Sequence, residues 1–248
     1  MITTFPSPTI IFAILVVFLI AGMIKGSLGI GFPAFAMSIF PIFIDPSFGV
    51  ALLAIPILLI NFMQFVTVKG WPSIVRRFLP AGAMIVVTTF VVSQLAADVP
   101  DRWINIVVGL SLTLFAVSTL TKIDIPADES RGWQLGIGLV SGIIGGISAV
   151  KAPVMVYSVA LKLPREEFIA AAGFMFFSGG VGLVSGLTTA SLVNQDTLLL
   201  SIVAVVVSLS GFRIGAWIRP KLSERVFRLA LLWIIMALGV RLVLVNVI

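Results

Sequence analysis

The stretch GLVSGIIGGISAVKAP, Gly138 to Pro153, decides the fold. It begins as an apolar run of helical character, fills with glycine, and carries Lys151 just before Pro153. Lys151 lies between two hydrophobic runs, Gly132–Val150 and Ala152–Leu161, whereas the other ions of this half lie near segment ends. A lysine between apolar runs, beside glycines and a proline, indicates a helix that breaks inside a membrane. We expect this break to hold an anion.

The composition places the chain in a membrane. Of its 248 residues, 60% are hydrophobic and 10% are charged, whereas a soluble domain carries roughly 25% charge. The hydrophobic runs are long enough for spanning helices, which need about 20 apolar residues, and they lack the alternation of a membrane β-barrel. The net charge of +6 lies mostly in loops, where it reports membrane orientation rather than nucleic-acid binding. These features predict an all-α integral membrane protein with no nucleic-acid partner.

Several kinds of chemistry are excluded by what the chain lacks. It contains no cysteine and no histidine, which excludes disulfides, thiol catalysis and the usual zinc ligands. Its carboxylates, such as Asp45, Asp98 and Glu166, lie near the ends of hydrophobic runs. An intramembrane enzyme needs a nucleophile with a base or metal partners. We therefore expect no enzyme, no cofactor and no metal site, and no proton relay through mid-membrane acids.

The chain divides into two similar halves of five segments each. The division predicted is an N-terminal repeat at 1–122, a linker at 123–131 and a C-terminal repeat at 132–248. The spacing of Gly22, Gly26 and Gly29 matches that of Gly138, Gly142 and Gly145, and a short apolar run ending at a proline follows each set. The predicted segments are Thr9–Leu28, Phe32–Ile44, Phe48–Val68, Phe78–Ala97 and Trp103–Leu120, then Trp133–Val150, Ala152–Leu163, Phe168–Val193, Leu198–Ile218 and Val226–Ile248.

The loop charges predict that the two repeats have inverted topology. The loop Lys69–Arg77 is basic and should be cytoplasmic, whereas its counterpart at 194–196 has no basic residue. The loop Asp98–Arg102 is net acidic, whereas its counterpart Arg219–Arg228 is basic. Equivalent loops on opposite sides require an odd number of segments per half, and both termini should then lie outside. The short segments would pair with the glycine-rich segments before them as V-shaped or re-entrant hairpins, the typical sign of a transporter binding site.

Three stretches resemble the sulfite exporter TauE/SafE family of bacterial anion transporters. They read GMIKGSLGIGFP from Gly22, GGISAVKAPVMVYSVALKLPREEFIAAAGFMFF from Gly145, and GFRIGAWIRPKLSERVFRLALLWIIMALGVRLVL from Gly211. The resemblance runs from Ala21 to Leu244 and implies a multi-pass protein of the bacterial inner membrane that moves sulfite, thiosulfate or organosulfonates such as sulfoacetate. Many members have Gly-Gly-Pro or Gly-Pro where this chain has Lys151-Ala152-Pro153, and a fixed charge there should change which anion is bound.

Two lysines are the first candidates for substrate binding. Lys151 offers three donors and a point charge to an anion, although a lysine near an interface can also snorkel to water. Lys25 occupies the matching hairpin of the first half. It is either the second cation of one site or the surface partner of Asp45.

The other candidates offer neutral hydrogen bonds. Glycines at the breaks would expose backbone N–H groups, which form anion-binding concavities, although glycines also allow helices to pack closely. Asn61 and Gln64 share a helix face and are either ligands or polar contacts between helices. The remaining predicted substrate-binding residues are Ser27, Gly29, Gly31, Gly145, Gly146, Ser148 and Ser178.

These observations predict an exporter of small sulfur-containing anions that works by alternating access around a midplane site. An anion channel lined by two re-entrant hairpins, and a carrier of other small organic anions, are the alternatives. The expected partners are the anionic substrate and the lipid bilayer, and formation of a homodimer stays open.

Overall fold

A computed structural model describes residues 6–121, 125–219 and 223–247, and these residues form α-helices without any β-strand. The helices of the first half are α1 (Pro8–Leu28), α2 (Phe32–Ile39), α3 (Pro46–Val66), α4 (Trp71–Leu95) and α5 (Asp101–Thr121). Those of the second half are α6 (Arg131–Ser148), α7 (Ala152–Ala160), α8 (Arg165–Thr189), α9 (Gln195–Ile218) and α10 (Glu224–Val247). The expectation of an all-α architecture is confirmed.

Seven of these helices are long and apolar enough to cross a membrane, namely α1, α3, α4, α5, α8, α9 and α10. The two short helices are different: α2 has 8 residues and α7 has 9. At about 1.5 Å per residue they extend only about 12 and 14 Å, less than half of a hydrocarbon core of about 30 Å. Neither short helix can span a bilayer by itself. The chain is a multi-pass membrane protein.

Several helix boundaries differ from the predicted segments because helices continue beyond their apolar runs. α4 begins at Trp71 rather than Phe78, since Gly70 adopts a left-handed φ of 82° and Pro72 occupies the first turn. Arg76 and Arg77 are therefore helical and do not belong to a loop. α10 likewise begins at Glu224, so that Arg228 is helical. An apolar run marks only the part of a helix that lies in the hydrocarbon core. The helix itself continues into the membrane interface, where its residues are charged.

Helix pairing in one half matches that in the other. α1 packs along α9, and its counterpart α6 packs along α4. Glycines allow both contacts: a Cβ atom at Gly22 would lie 2.2 Å from the carbonyl oxygen of Ser208, and one at Gly142 would lie 2.5 Å from Cβ of Thr88. Close helix packing is thus the observed role of these glycines.

Two helices also contact their own counterparts, α3 on α8 and α5 on α10. Along α8, Gly180 faces Leu58 while Gly173 faces Phe65, so that α3 and α8 run antiparallel. α5 and α10 run antiparallel as well, because Asn105 near the start of α5 donates to Asn246 near the end of α10.

The described part of the linker is tied to the helix ends around it. Arg77 of α4 forms ion pairs with Glu129 of the linker and with Glu167 in the first turn of α8. The buried amide of Gln134 donates to the backbone oxygens of Arg77 and Glu129, at 3.0 and 2.7 Å. Tyr157 of α7 donates to the backbone oxygen of Asp128 at 2.9 Å. These contacts hold the ends of α4, α6, α7 and α8 together.

Candidate anion site between two helix breaks

The break between α6 and α7 has a defined backbone. α6 ends at Ser148, and Ala149 caps it in a left-handed conformation with φ of 60°. The Ser148 hydroxyl accepts from the N–H of Val150 at 3.1 Å and lies 2.8 Å from the carbonyl oxygen of Ile144. Lys151 then precedes α7 at its N-cap position, with Pro153 in the first turn. The chain changes direction between α6 and α7, and the side chain of Lys151 lies inside the protein.

Lys151 is buried against glycines from two helices. Its side chain is 1% exposed. A Cβ atom at Gly145 of α6 would lie 2.6 Å from Cγ of Lys151, and one at Gly179 of α8 would lie 1.9 Å from its Cε. Glycine at both positions leaves room for the lysine side chain as it lies here. The ammonium of Lys151 has no hydrogen-bond partner among the residues that the structure describes.

Lys25 of α1 is also buried, at 4% exposure, but it has a protein partner. Its ammonium donates to Oδ1 of Asn61 at 3.0 Å and lies 5.8 Å from the centre of the Phe176 ring. Nδ2 of Asn61 donates to the carbonyl oxygen of Ile57 at 2.7 Å, which fixes Oδ1 toward the lysine. The alternative prediction that Lys25 pairs with Asp45 at the surface is wrong, because α1 places Lys25 inside the helix bundle.

α8 brings the two lysines to one region of the protein. Phe176, which faces Lys25, and Gly179, which faces Lys151, are three residues apart on this helix and therefore share a face. The first lysine comes from the first half of the chain and the second from the other half. Neither forms an ion pair with an acid among the described residues.

The carboxylates lie at the ends of the helices, away from the lysines. Asp45 is the N-cap of α3, Asp98 follows α4, and Asp196 lies in the first turn of α9. Glu166 and Glu167 lie in the first turn of α8, where acids favour the helix dipole. The described residues contain no group of acids that could hold a metal ion. No acid among the described residues therefore pairs with either buried lysine.

The other predicted site residues differ in what they contact. Gln64 donates from Nε2 to the carbonyl oxygen of Ile169, 3.4 Å away, while its Oε1 is buried without a partner. Ser27 and Ser178 donate to carbonyl oxygens of their own helices. Ser148 belongs to the cap of α6. The three serine hydroxyls thus already have partners in this conformation.

The predicted glycines fall into two groups. Gly29 and Gly31 adopt left-handed φ values of 79° and 90° between α1 and α2, and a Cβ atom at Gly29 would meet nothing within 4 Å. Gly145 and Gly146 do not lie in the break as expected, because α6 continues to Ser148. Gly145 faces Lys151, whereas Gly146 faces Val92 of α4. A substrate-binding role for these glycines stays a prediction.

Two residues that face the lysines, Phe176 and Gly179, were not predicted as site residues, and neither was Ser141, whose buried hydroxyl has no partner among the described residues. Gly179 could not have been found, since nothing in the sequence shows that α8 faces the break. Ser141 could have been found from the sequence. When the matching glycines of the two halves are aligned, Ser141 falls opposite Lys25.

An open cleft of about 580 Å³ lies elsewhere, at the starts of α4 and α8. It is lined by ionic side chains, including those of Lys69, Arg77, Arg165 and Glu166. Neither buried lysine lines this cleft, and both are shielded from solvent inside the helix bundle.

Two lysines are buried near the helix breaks of this multi-pass membrane protein, and neither pairs with an acid among the described residues. Such an arrangement is suited to hold an anion inside the membrane. The family model for the sulfite exporter TauE/SafE matches residues 14–242, nearly the whole chain, and the protein belongs to this family. Membership implies a membrane transporter of sulfite-type anions, and the family is one of transporters rather than enzymes. No curated protein and no solved structure matches the chain.

Proposed function

We propose that the protein exports small sulfur-containing anions such as sulfite, thiosulfate or sulfoacetate. The observation that carries this proposal is the Lys151 ammonium, buried without a hydrogen-bond partner or a counter-ion among the described residues. A buried charge is costly unless it is paired. An anion that enters from water would supply both the charge and the acceptors that Lys151 lacks.

Lys25 would contribute mainly through its charge. Its ammonium is held by Asn61, which uses one of its three donors. Its positive charge would still attract an anion placed between the two helix breaks. An inside-negative membrane potential supplies roughly 2.3 kcal/mol per charge per 100 mV toward anion exit. That force can drive export without a coupling ion.

Alternating access would come from movement of the two halves, 1–122 and 132–248, against each other. The antiparallel contacts of α3 with α8 and of α5 with α10 support an inverted repeat, because a two-fold axis in the membrane plane reverses each helix relative to its counterpart. The matched pairs α1–α9 and α6–α4 agree with the same axis. The lysines would then become accessible from each side in turn.

The orientation proposed is cytoplasmic for the starts of α4, α6 and α8. These helices run parallel, because Gly138 faces Ala81 and Gly146 faces Val92, while Gly82 faces Phe174 and Gly186 faces Phe90. The positive-inside rule favours this side, and it places both termini on the periplasmic side of a bacterial inner membrane. Lys221, part of the predicted cytoplasmic loop, lies outside the described residues. Basic residues at or next to the starts of these three helices are Lys69, Arg76, Arg77, Arg131, Lys162 and Arg165.

Transport in proteoliposomes tests the function directly. The unmodified protein should give saturable flux of at least one of sulfite, thiosulfate and sulfoacetate. Lys151→Ala should reduce this flux at least about tenfold, since a hydrogen bond to a charged group contributes about 1.5–3 kcal/mol. Lys69→Ala removes the same charge from an exposed position and should transport normally.

Two results would contradict the proposal. Absence of flux for all three anions would exclude small sulfur-containing anions as the substrates. Normal flux through Lys151→Ala would exclude Lys151 from the substrate site. Flux that rises linearly with concentration would favour the channel alternative over a carrier. A homodimer and the binding roles of the neutral residues remain predictions.

A further inference from the structure

Ser141 lies on the face of α6 that meets Lys151. α6 has two stripes of small residues. Gly138, Gly142 and Gly146 form one stripe and face α4. Gly145 belongs to the other stripe and faces Lys151. Ser141 precedes Gly145 by one helical turn, so it shares this second face.

The Ser141 hydroxyl is buried and uncommitted. The residue is 0% exposed, and its Oγ has no hydrogen-bond partner among the described residues. Other buried serines of this region donate to a carbonyl oxygen of their own helix, as Ser158 does to Val154 at 2.8 Å and Ser178 does to Phe174 at 2.9 Å. Two unpaired donors, an ammonium and a hydroxyl, therefore face the same side of α6.

We propose that Ser141 and Lys151 together bind one oxyanion, with one oxygen of the anion accepting from each of them. This inference rests on the proposed function and specifies its site. The Lys151 Nζ lies 3.0 Å from the position of a Cβ atom at Gly145, and side chains one turn apart on a helix are separated by about 6 Å. An anion with two or more oxygens on one centre, such as a sulfite or sulfonate group, can bridge these donors. A halide cannot.

The two halves of the chain then have unequal roles. Lys25 is the counterpart of Ser141 in the aligned glycine register, but its ammonium already donates to Asn61. The second half contributes the two free donors, and the first half contributes an ammonium that Asn61 already holds. The substrate is therefore held off the axis that relates the halves, against α6 and α8.

The test compares Ser141→Ala with Ser201→Ala in proteoliposomes. Ser201 is a matched control, because it is also a buried helical serine whose hydroxyl has no partner, but it belongs to α9. The probe is whichever of sulfite, thiosulfate and sulfoacetate gives the greatest saturable flux with the unmodified protein. Ser141→Ala should raise the KM about tenfold, the order expected for one hydrogen bond to a charged group, with little change in maximal flux. Ser201→Ala should leave the KM unchanged.

A double variant adds a readout that a merely structural serine would not affect. If both residues bind one anion, the Ser141→Ala effect on KM should shrink when Lys151→Ala is already present. An unchanged KM in Ser141→Ala, or equal effects in both backgrounds, would overturn the inference while the unmodified protein still transports. Absence of flux in the unmodified protein would instead overturn the proposed function.

Discussion

At the residue scale, the two buried lysines differ in their hydrogen bonds. Lys25 donates to an amide oxygen that is itself oriented by the backbone of α3, whereas Lys151 has no partner among the described residues. A neutral amide stabilises an ammonium without cancelling its charge. Both lysines can therefore attract an anion, but only Lys151 keeps all three donors available to one.

Replacing the amide at position 61 by a carboxylate tests the charge of Lys25. In Asn61→Asp the carboxylate would lie at hydrogen-bond distance from the ammonium and cancel its field at the substrate. Anion flux should fall roughly tenfold, because the attraction between the substrate and one unit charge in the protein interior would be lost. Asn105→Asp makes the same change at the contact of α5 with α10 and should have little effect. Normal flux in Asn61→Asp would show that the Lys25 charge does not act on the substrate.

At the scale of the elements, glycines decide which surfaces meet. Gly26 of α1 approaches the backbone of α9, and Gly142 of α6 approaches α4. Gly179 and Gly145 instead leave space for a single side chain, that of Lys151. One residue type thus serves both helix packing and site formation. The two uses can be separated by substitution with alanine.

Gly179→Ala should disturb the site and leave the fold intact. A methyl group there would overlap Cε of Lys151, the far end of a flexible side chain that can move away. We expect the KM for the anion to rise roughly tenfold, or ~1.4 kcal/mol, with an unchanged unfolding temperature in detergent. Gly136→Ala, where a Cβ atom would meet nothing within 4 Å, is the control. A normal KM in Gly179→Ala would mean that the position of the ammonium is unimportant.

Gly26→Ala should destabilise the helix pair instead. A Cβ atom there would lie 2.1 Å from the carbonyl oxygen of Phe212, and the backbone of α9 cannot yield without moving the whole helix. Overpacking of this kind costs typically about 1–3 kcal/mol, which thermal unfolding in detergent would reveal as a lower midpoint. An unfolding midpoint equal to that of Gly136→Ala would contradict the close α1–α9 contact.

At the scale of the whole molecule, helix directions and charges support the proposed orientation. The parallel helices α4, α6 and α8 start at the end where most basic residues lie, and Asp45, Asp98 and Asp196 lie at the opposite end. In the proposed inverted repeat, the rotation that exchanges the halves also exchanges the sides of the membrane. The loop charges would then differ between the halves although the helix arrangement is shared.

Cysteine labelling tests this orientation without interference, because the chain has no native cysteine. Gln195→Cys, exposed at the start of α9, should react with a membrane-impermeant maleimide from the periplasmic side. Lys69→Cys, exposed before α4, should react only after the membrane is opened. Reaction of both positions from one side would contradict the odd number of segments per half. The results expected for the transport variants do not depend on the outcome of this labelling.

The sequence by itself determined the membrane class, the ten helices and the family. Hydropathy, the polar linker and the repeated glycine spacing are local properties of the sequence. Their meaning does not depend on how the helices pack against one another. The sequence also predicted that Lys151 lies inside the membrane protein, and the residue is indeed buried. A charge between apolar runs is costly in any arrangement of helices and therefore stands out. The exact helix ends were less predictable, as α4 shows, because interfacial turns are polar but helical.

Only the tertiary structure decided what faces the two lysines. Nothing near Lys25 in the chain indicates Asn61, and nothing near Lys151 indicates Gly179, because both partners come from helices distant in sequence. The packing also divided the glycines of α6, so that Gly142 faces α4 and Gly145 faces Lys151. Sequence spacing places residues on a common helix face, but only the packing of helices determines what that face meets.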